Sequence, residues 1–161
     1  MAQNQQAATT PEKPKKPNKP GKFSRWVQQK MNARMNRKVR KGKGTFMGMD
    51  VLILHTVGRR SGQERQTPVA WFPDPEADDA RLIVASGGED LHPDWFFNLE
   101  AHPDRASIEP PGTEPVAVTP HRLEGPARAP AWQVIATAQP RIAKYQSKSS
   151  REYPVIRLAP R

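Results

Sequence analysis

The sequence predicts an α+β domain built around a small β-barrel of about six short, mostly antiparallel strands with flanking helices. Apolar segments of strand length recur along the chain between turn residues, and only some of them are separated by helix-length periodic segments. The first two strands follow each other directly, whereas a parallel α/β sheet alternates strands with helices. No apolar run approaches the roughly 20 residues that a membrane-spanning helix needs, so a membrane-embedded class is not expected.

Charge divides the chain into two unlike parts. Residues 1–44 hold 13 Lys or Arg against one acid, a formal charge of +12. Residues 45–161 hold 13 Lys or Arg against 15 acids, a formal charge of −2. Residues 1–22 are rich in Pro and Lys and too polar to offset their ordering entropy, so we expect a disordered basic tail there. We expect a basic amphipathic helix and a glycine linker over 23–44, and one barrel domain over 45–161.

The helix predicted over Phe23–Val39 is amphipathic and basic, and Gly42 and Gly44 end it. Its apolar stripe either packs onto the domain or also lies on an anionic membrane surface through residues 23–41. Nucleic-acid binding by this arm is disfavoured, because the aromatic and Met residues form a helical stripe rather than a stacking platform. No signal-peptide core follows Met1, so we expect a cytoplasmic protein, peripheral at the inner face of the cell membrane.

The barrel begins with a hairpin. Val51–Thr56 is an apolar run typical of a buried strand, and the glycine-bounded turn Gly58–Gly62 connects it to a second strand over Arg65–Phe72. An acidic loop, Pro73–Ala80, leads to a third strand over Arg81–Ser86, which ends at a glycine pair.

The second half of the chain adds two helices and three strands. The first helix starts at Pro93 and runs to about Ala101, since Pro is favourable in the first turn of a helix. Two strands then surround the turn Pro110-Pro111-Gly112, and a helix and a closing strand follow. These later elements are Arg105–Glu109, Val116–Leu123, Pro126–Ala138 and Val155–Leu158.

The most informative charges of the neutral part are Arg59, Arg60 and Arg65, beside Ser61. Guanidinium groups bind phosphates and carboxylates in bidentate fashion, and a serine hydroxyl adds a donor. The turn is either an anion-binding site or an exposed turn with solvated arginines. It is not a P-loop, because the Lys-Ser/Thr ending is missing and both flanking elements are strands.

Other polar residues give weaker signals. Ser86-Gly87-Gly88 follows a strand and precedes a helix, where glycines allow backbone N–H groups to approach a ligand or simply form a turn. Trp95 has the spacing of a core residue, and Asn98 on the same apolar helix is suited to fixing a loop.

No catalytic side-chain set is visible in the sequence. The chain has no cysteine, no Gly-x-Ser-x-Gly motif and no pair of its four histidines at metal-ligand spacing, so no metal site is expected. An anion-binding rim without catalytic side chains is typical of proteins whose cofactor carries the reaction.

Several short motifs occur in the order seen in one known family. They are Thr56–Arg65 (TVGRRSGQER), Thr67-Pro68, Ala85–Gly88 (ASGG), His92–Leu99 (HPDWFFNL) and His102-Pro103. From about Phe23 through Pro160, the chain resembles the deazaflavin-dependent nitroreductases and quinone reductases of actinobacteria. These are split-β-barrel oxidoreductases, related to flavin mononucleotide-binding barrels, that use reduced coenzyme F-420.

The resemblance implies roles for individual residues. The turn would hold the phosphate and glutamate tail of the cofactor, the strand after it would pass its backbone along the deazaflavin ring, and residues 86–88 and a tryptophan would line the ring. The cofactor-binding residues would be Arg59, Arg60, Ser61, Arg65, Pro68, Val69, Ala70, Ser86, Gly87, Gly88 and Trp95. Trp26 would cover the substrate side, and Tyr145 would orient the acceptor or donate a proton. Flavin mononucleotide is the alternative cofactor.

The chain departs from the family pattern near the substrate. Ser86 is followed directly by Gly87, where family members often have one more residue, and Ala70 stands where a tyrosine is common. Two further family tyrosines fall near Gln139 and Ile142. We expect an enzyme that transfers a hydride from reduced coenzyme F-420 to a small apolar acceptor such as a quinone, with nitroaromatic compounds reduced incidentally. The alternative is a non-catalytic cofactor- or ligand-binding protein of the same fold.

Overall fold

A computed structural model describes residues 21–87 and 91–161, which form a curled antiparallel half-barrel with four α-helices. The strands are β1 (Thr45–Phe46), β2 (Met49–Val57), β3 (Glu64–Ala70), β4 (Phe72–Pro73), β5 (Arg81–Val84), β6 (Ser107–Glu109), β7 (Val116–Leu123) and β8 (Val155–Pro160). The helices are α1 (Lys22–Arg40), α2 (Asp94–Ala101), α3 (Gly125–Ala138) and α4 (Pro140–Lys148), with a 3-10 turn at Pro103–Arg105. The predicted fold class is confirmed. The predicted tail over 1–22 lies outside the described residues apart from its last two, and the predicted domain division remains a prediction.

The strands follow the order β1-β2-β6-β7-β8-β5-β4. β3 also pairs with β2, along the edge opposite β6. Every pair is antiparallel, as the hairpin prediction implied. β2 and β3 pair from Val51 opposite Ala70 to Val57 opposite Glu64, so the hairpin closes at residues 58–63.

The continuous strand predicted over Arg65–Phe72 was wrong. The chain leaves β2 after Trp71, whose N–H donates to the Asp50 carbonyl oxygen at 3.0 Å, and β4 pairs with β5 instead. Phe72 is 4% exposed and packs in the cluster beneath α3, so burial of this side chain favours the change of partner strand.

The apolar run of β2 is buried on both faces. Leu52 and Leu54 belong to the interior cluster of the half-barrel, whereas Val51 and Ile53 pack against Val39 of α1. Because successive side chains of a strand alternate between faces, a strand covered on both sides reads as an unbroken hydrophobic run.

Two helices cover the remaining apolar surface. Phe96 and Leu99 of α2 enter the interior cluster, and Ile135 of α3 packs with Leu82 and Val155 on the opposite face of the sheet. Burying each such side chain contributes about 1.5–3 kcal/mol, so the two helices fix the curvature of the sheet between them.

The structure contains one helix that the sequence did not predict. α4 begins at Pro140 and spans only nine residues, none of them fully buried, so its amphipathic pattern is too short to identify a helix in the sequence. Gln146 ties it to the segment before β8: its Nε2 donates to the Arg151 carbonyl oxygen at 2.8 Å, and its Oε1 accepts from the Tyr153 N–H at 2.6 Å.

Only the C-terminal part of α1 packs onto the domain. Met35 and Val39 contact β2, whereas Phe23, Trp26 and Met31 are 78%, 50% and 59% exposed. The packing interpretation of the apolar stripe therefore holds only for its last two residues. None of the helices within residues 21–87 and 91–161 is long and apolar enough to cross a membrane.

Candidate functional site

A cavity of about 200 Å³ lies where β3, the end of β5, the start of α2 and α4 meet. We call it the apolar cavity, and its lining residues are Pro68, Val69, Ala70, Phe72, Val84, Gly87, Pro93, Trp95 and Ile142. The structure thus brings together five of the predicted cofactor residues, Pro68, Val69, Ala70, Gly87 and Trp95. Phe72, Val84 and Pro93 were not among the predicted site residues, because their elements meet only in the folded chain, and Ile142 was noted only as lying near the position of a family tyrosine.

The loop between β2 and β3 is closed by backbone hydrogen bonds. The Gly58 N–H donates to the Gln63 carbonyl oxygen at 2.8 Å, and the Gly62 N–H donates to the Gly58 carbonyl oxygen at 2.8 Å. Ser61 Oγ accepts from the Gln63 N–H at 3.3 Å, so the predicted donor hydroxyl braces the loop. We call residues 58–65 the arginine turn.

Asn98 of α2 holds this turn in place. Its Oδ1 accepts from the Arg59 N–H at 3.0 Å, and its Nδ2 donates to Thr56 Oγ1 at 3.3 Å. Asn98 is 7% exposed, so its polar groups need partners inside the protein. The expectation that Asn98 fixes a loop is confirmed.

The three arginines of the turn differ in their surroundings. The Arg59 guanidinium lies 4.4 Å from the centre of the Phe97 ring, and its Nη1 is 3.9 Å from Asp94 Oδ1. Arg60 and Arg65 are exposed and make no ion pair with any residue that the structure describes. Their guanidinium groups are therefore available to an external anion.

The arginine turn and the apolar cavity share two elements. Arg65 lies three residues before Pro68 on β3, about 10 Å at 3.3 Å per residue. α2 contributes Trp95 to the cavity wall and, two residues further along, Phe97 beneath Arg59. The strand and helix that line part of the apolar cavity therefore also adjoin the arginine turn, which we call its cationic rim.

The segment after β5 is anchored by Arg151, a residue that sequence reasoning missed. Its guanidinium donates to the carbonyl oxygens of Ala85, Ser86 and Leu91 at 3.1, 2.6 and 2.9 Å. Its Nη1 also lies 2.9 Å from His92 Nδ1. Arg151 is distant in sequence and belongs to no motif, so only the fold reveals this contact. Gly88 lies outside the described residues.

The Nδ1 atom of His92 is unprotonated. A guanidinium can only donate, so Nδ1 accepts the hydrogen bond and the ring carries its proton on Nε2. Burial lowers the pKa of His92, and the positive charges of Arg151 and Arg122 lower it further.

Trp26 and Tyr145 do not line the apolar cavity. Tyr145 is 60% exposed and lies on α4 one turn beyond Ile142, which does line the cavity. Trp26 stacks on Phe23 with ring centres 6.1 Å apart, and Lys30 Nζ lies 4.0 Å from its ring centre. The substrate-side roles of both residues remain predictions.

A second, polar cavity of about 210 Å³ lies on the outer face of the sheet, lined by His55, Thr56, Val57, Glu64, Arg105 and Ser107. Beside it, Arg40 of α1 makes two hydrogen bonds to the buried Glu109 carboxylate, at 2.8 and 3.0 Å, and His55 Nε2 lies 3.0 Å from the same carboxylate. The hydrogen bond from Arg40 lowers the pKa of Glu109, and this group of side chains fastens α1 to the sheet.

The apolar cavity and its rim fit a coenzyme with a planar apolar ring and an anionic tail. The wall offers backbone and apolar side chains to a ring, and Arg60 and Arg65 offer unpaired guanidinium groups to phosphate or carboxylate. An added Cβ at Gly87 would lie 2.3 Å from the Leu91 carbonyl oxygen, so this part of the wall excludes any larger residue. The fold and the site together are typical of a split-barrel protein that binds an anionic ring coenzyme.

Comparison with known proteins identifies the family. The family model for F-420H(2)-dependent quinone reductase matches residues 26–160, and the chain belongs to this family. It is 32% identical over 150 residues to the F-420H(2)-dependent quinone reductase of Mycobacterium tuberculosis, covering 86% of this chain and 99% of that protein. A putative member from Mycobacterium bovis matches to the same extent.

A solved structure agrees with this assignment. The structure titled F-420-H2 dependent reductase (FDR-A) has a TM-score of 0.58 and 32% identity, covering 67% of this chain and 92% of that chain. The predicted family, split-barrel fold and cofactor are confirmed: the protein is an oxidoreductase that depends on coenzyme F-420. Neither flavin mononucleotide nor a non-catalytic role is supported by these relatives.

Proposed function

We propose that this protein reduces a small apolar acceptor, such as a quinone, by hydride transfer from reduced coenzyme F-420, and that nitroaromatic compounds are incidental acceptors. The observation that carries this proposal is that the apolar cavity shares β3 and α2 with the arginine turn, where the exposed Arg60 and Arg65 form no ion pair within residues 21–87 and 91–161. The quinone is the acceptor in the names of the mycobacterial relatives.

The arginine turn would bind the anionic tail of the coenzyme. Arg60 and Arg65 provide charge-assisted donors, and Arg59 adds positive charge from its position over Phe97. Asn98 keeps the turn fixed before the coenzyme arrives, so little ordering entropy is lost on binding.

The apolar cavity would receive the deazaflavin ring. When bound, reduced coenzyme F-420 supplies a hydride. The chain's own residues would position the ring: the backbone of Val69 and Ala70 on one side, Trp95 on another, and Gly87 where only a residue without a side chain fits. These walls exclude water from the reacting atoms, and Ser86 and Gly88 complete the predicted set.

The acceptor is proposed to be apolar because of the residues at its predicted position. Ala70 and Ile142 line the cavity at or near positions where the family commonly has tyrosines. The exposed Tyr145 hydroxyl, on the same face of α4 as Ile142, would orient the acceptor or donate a proton, and Trp26 would cover the substrate side.

The binding test removes the two unpaired guanidinium groups. Each charge-assisted contact contributes about 1.5–3 kcal/mol, so the double variant Arg60→Ala/Arg65→Ala should raise the Kd for coenzyme F-420 by roughly a hundredfold or more. The matched control, Lys41→Ala/Lys43→Ala, removes the same charge at two exposed positions near the end of β2 that lies farthest from the turn, and should leave the Kd unchanged. Equal affinity in both variants would disprove the anion-binding role, and flavin mononucleotide titrated in parallel tests the cofactor preference.

The acceptor test uses steady-state oxidation of reduced coenzyme F-420 by a panel of quinones and nitroaromatic compounds. Apolar quinones should give the highest kcat/KM. Tight coenzyme binding without turnover of any acceptor would instead support a binding protein and disprove the proposed reaction.

We further propose that α1 holds the protein at an anionic membrane surface, at the inner face of the cell membrane, through residues 23–41. Phe23, Trp26 and Met31 are exposed on a helix rich in Lys and Arg. Apolar insertion plus about 1 kcal/mol for each nearby cation favours an anionic surface.

Vesicles with anionic lipid should sediment the protein, neutral vesicles should not, and Phe23→Ser/Trp26→Ser should abolish binding. Equal sedimentation with both lipid types would contradict the proposal.

A further inference from the structure

Arg151 connects the two described arms of the segment between β5 and α2. The first arm, residues 85–87, follows β5, and the second arm, residues 91–93, precedes α2. The guanidinium donates to Ala85 and Ser86 in the first arm and to Leu91 in the second. Its Nη1 also donates to His92 Nδ1 of the second arm. One side chain therefore fixes the distance between the arms.

Both arms form part of the apolar cavity. Gly87 ends the first arm and Pro93 ends the second, and each lines the cavity wall. The arms also touch each other closely, since a Cβ built on Gly87 would meet the Leu91 carbonyl oxygen, Arg151 Nη2 and Pro93 Cδ. A change in the spacing of the arms would therefore change the shape of the cavity.

Arg151 is itself held at two points, one on its side chain and one on its backbone. Its Cζ lies 4.8 Å from the centre of the Tyr153 ring, and Tyr153 is 3% exposed. The Arg151 carbonyl oxygen accepts a hydrogen bond from Gln146 of α4, the helix that contributes Ile142 to the cavity. Arg151 thus links α4 to the start of α2 and the end of β5.

Only arginine suits this position. Its planar fork presents five N–H donors in fixed directions, which matches three carbonyl oxygens and a ring nitrogen placed around it. A lysine carries the same charge, but its three donors radiate from one atom and cannot span both arms.

We propose that Arg151 is the positioning residue of the coenzyme site, and that its guanidinium holds the two arms at the spacing in which Gly87 and Pro93 can receive the deazaflavin ring. This inference rests on the proposed placement of the ring in the apolar cavity. Arg151 acts through the two arms, so it shapes the site without being a catalytic residue.

The test compares Arg151→Gln with Arg151→Lys and with the control Arg128→Gln. Arg128 is a fitting control because its side chain is 13% exposed and it donates to the Tyr153 carbonyl oxygen at 3.0 Å, so it braces the same segment without reaching either arm. The readouts are amide hydrogen exchange of the two arms in the coenzyme-free protein and the Kd for coenzyme F-420.

In Arg151→Gln, amides of both arms should exchange about tenfold or more faster than in the native protein, and the Kd should rise about tenfold as preorganisation is lost. Arg151→Lys, which keeps the charge, should fall between Arg151→Gln and the native protein in both readouts. Arg128→Gln can lower the melting temperature, but it should keep native exchange in the arms and the native Kd.

Native exchange and native Kd in Arg151→Gln would overturn the proposal. If Arg151→Gln does not fold, Arg151→Lys decides alone: native values in both readouts overturn the proposal, and faster exchange with weaker binding supports it. Failure of the native protein to bind coenzyme F-420 would instead refute the proposed function, whereas arm exchange in the coenzyme-free protein would still show whether Arg151 holds the two arms.

Discussion

The side-chain oxygen of Asn98 accepts a hydrogen bond from the backbone N–H of Arg59 at 3.0 Å, which joins the helix beside the apolar cavity to the arginine turn. The same amide donates to Thr56 Oγ1 on β2. Asn98 thus fixes the start of the turn relative to Trp95, which lies one helical turn earlier in α2 and lines the cavity. Because one buried side chain links rim and cavity, its loss should affect stability and coenzyme binding together.

Replacing Asn98 by alanine tests this link. Asn98→Ala leaves the Arg59 N–H and the Thr56 hydroxyl without their present partners, which should lower the free energy of unfolding by about 1–3 kcal/mol. The Kd for coenzyme F-420 should rise because the turn is no longer held in place. Urea denaturation and equilibrium titration measure the two effects. Asn32→Ala removes only a solvent-exposed hydrogen bond from Gln28 on α1, so it should change stability by less than about 0.5 kcal/mol and leave the Kd unchanged. An equal loss in both variants would argue against the link.

Replacement of Gly87 by a larger residue should destabilise the protein for a steric reason. It has a φ of +59°, and an added Cβ would lie 2.3 Å from the Leu91 carbonyl oxygen. Gly42 has a similar φ of +76°, with no atom within 4 Å of its added Cβ. Both alanine variants carry the cost of a left-handed conformation, about 1–2 kcal/mol, but only Gly87→Ala must also move the second arm.

Gly87→Ala should therefore be less stable than Gly42→Ala by about 1–3 kcal/mol, the usual cost of overpacking, and should bind coenzyme F-420 more weakly. Thermal unfolding of both variants measures the difference. Equal stability of the two alanine variants would show that the second arm relaxes freely around a methyl group.

The sequence predicts those parts of the fold that depend on local patterns. The buried run of β2 and the glycine-bounded turn carry strong periodicity and turn chemistry, and both are present in the structure. α4 is amphipathic, but it is short and buries no residue fully, so its periodicity gives a weak signal. Gln146 holds this helix through contacts with the segment before β8. The break between β3 and β4 arises because Phe72 pairs with β5 and not with β2. Pairing with a strand that is distant in sequence leaves no local signal.

The same distinction applies to the site. The wall residues Pro68, Val69, Ala70, Gly87 and Trp95 were predictable from motifs in the sequence and from the family resemblance, whereas the contacts of Arg151 were not. Arg151 lies 65 residues after Ser86, the carbonyl oxygen of which accepts its shortest hydrogen bond. A positioning residue is defined by the geometry of what it touches, and this geometry exists only after folding.

Acid should weaken the attachment of α1 through Glu109. The hydrogen bond from Arg40 lowers the pKa of Glu109 below its usual value, although burial opposes this effect. A carboxyl group with a lower pKa in the folded state binds fewer protons than in the unfolded state at acidic pH. Its contribution to stability is therefore complete above the ordinary pKa of about 4.5 and is lost as the pH falls through the folded value.

Glu109→Gln should lower the free energy of unfolding at pH 7 by about 1–3 kcal/mol, towards the lower end because Arg40 is partly exposed to solvent. It should also flatten the loss of stability between about pH 5 and pH 3. Some slope should remain, because Asp74 also has a lowered pKa: burial raises it, but the hydrogen bond and charge of Arg157 and the backbone hydrogen bonds from Glu76 and Ala77 together outweigh burial. Glu124→Gln removes an exposed partner of Arg122 and should keep the native profile. Urea midpoints across this pH range measure both variants, and parallel curves for Glu109→Gln and the native protein would contradict the role of Glu109.

His92 should make the second arm sensitive to pH in a higher range. Burial lowers its pKa below 6.5, and the charges of Arg151 and Arg122 lower it further, whereas Glu100 opposes them. The unfolded state therefore binds a proton more readily than the folded state. The contribution of His92 to protein stability is complete above pH 6.5 and is lost as the pH falls through the pKa of His92 in the folded state. Protonation would also place a second cation beside Arg151 and remove the acceptor at Nδ1.

His92→Gln keeps an acceptor near Arg151 but does not titrate. The native protein should lose melting temperature and exchange its second arm faster between pH 7 and about pH 5.5, whereas His92→Gln should show a flatter profile in both measurements. His121→Gln, which changes an exposed histidine on β7, should follow the native profile. Glu109 and Asp74 titrate mainly below this interval, so they should contribute little to the profile between pH 7 and about pH 5.5. Two results would contradict the role of His92: a flat profile for the native protein in this interval, or a profile that stays steep in His92→Gln. Either result would show that the hydrogen bond between His92 and Arg151 does not control the stability of the second arm.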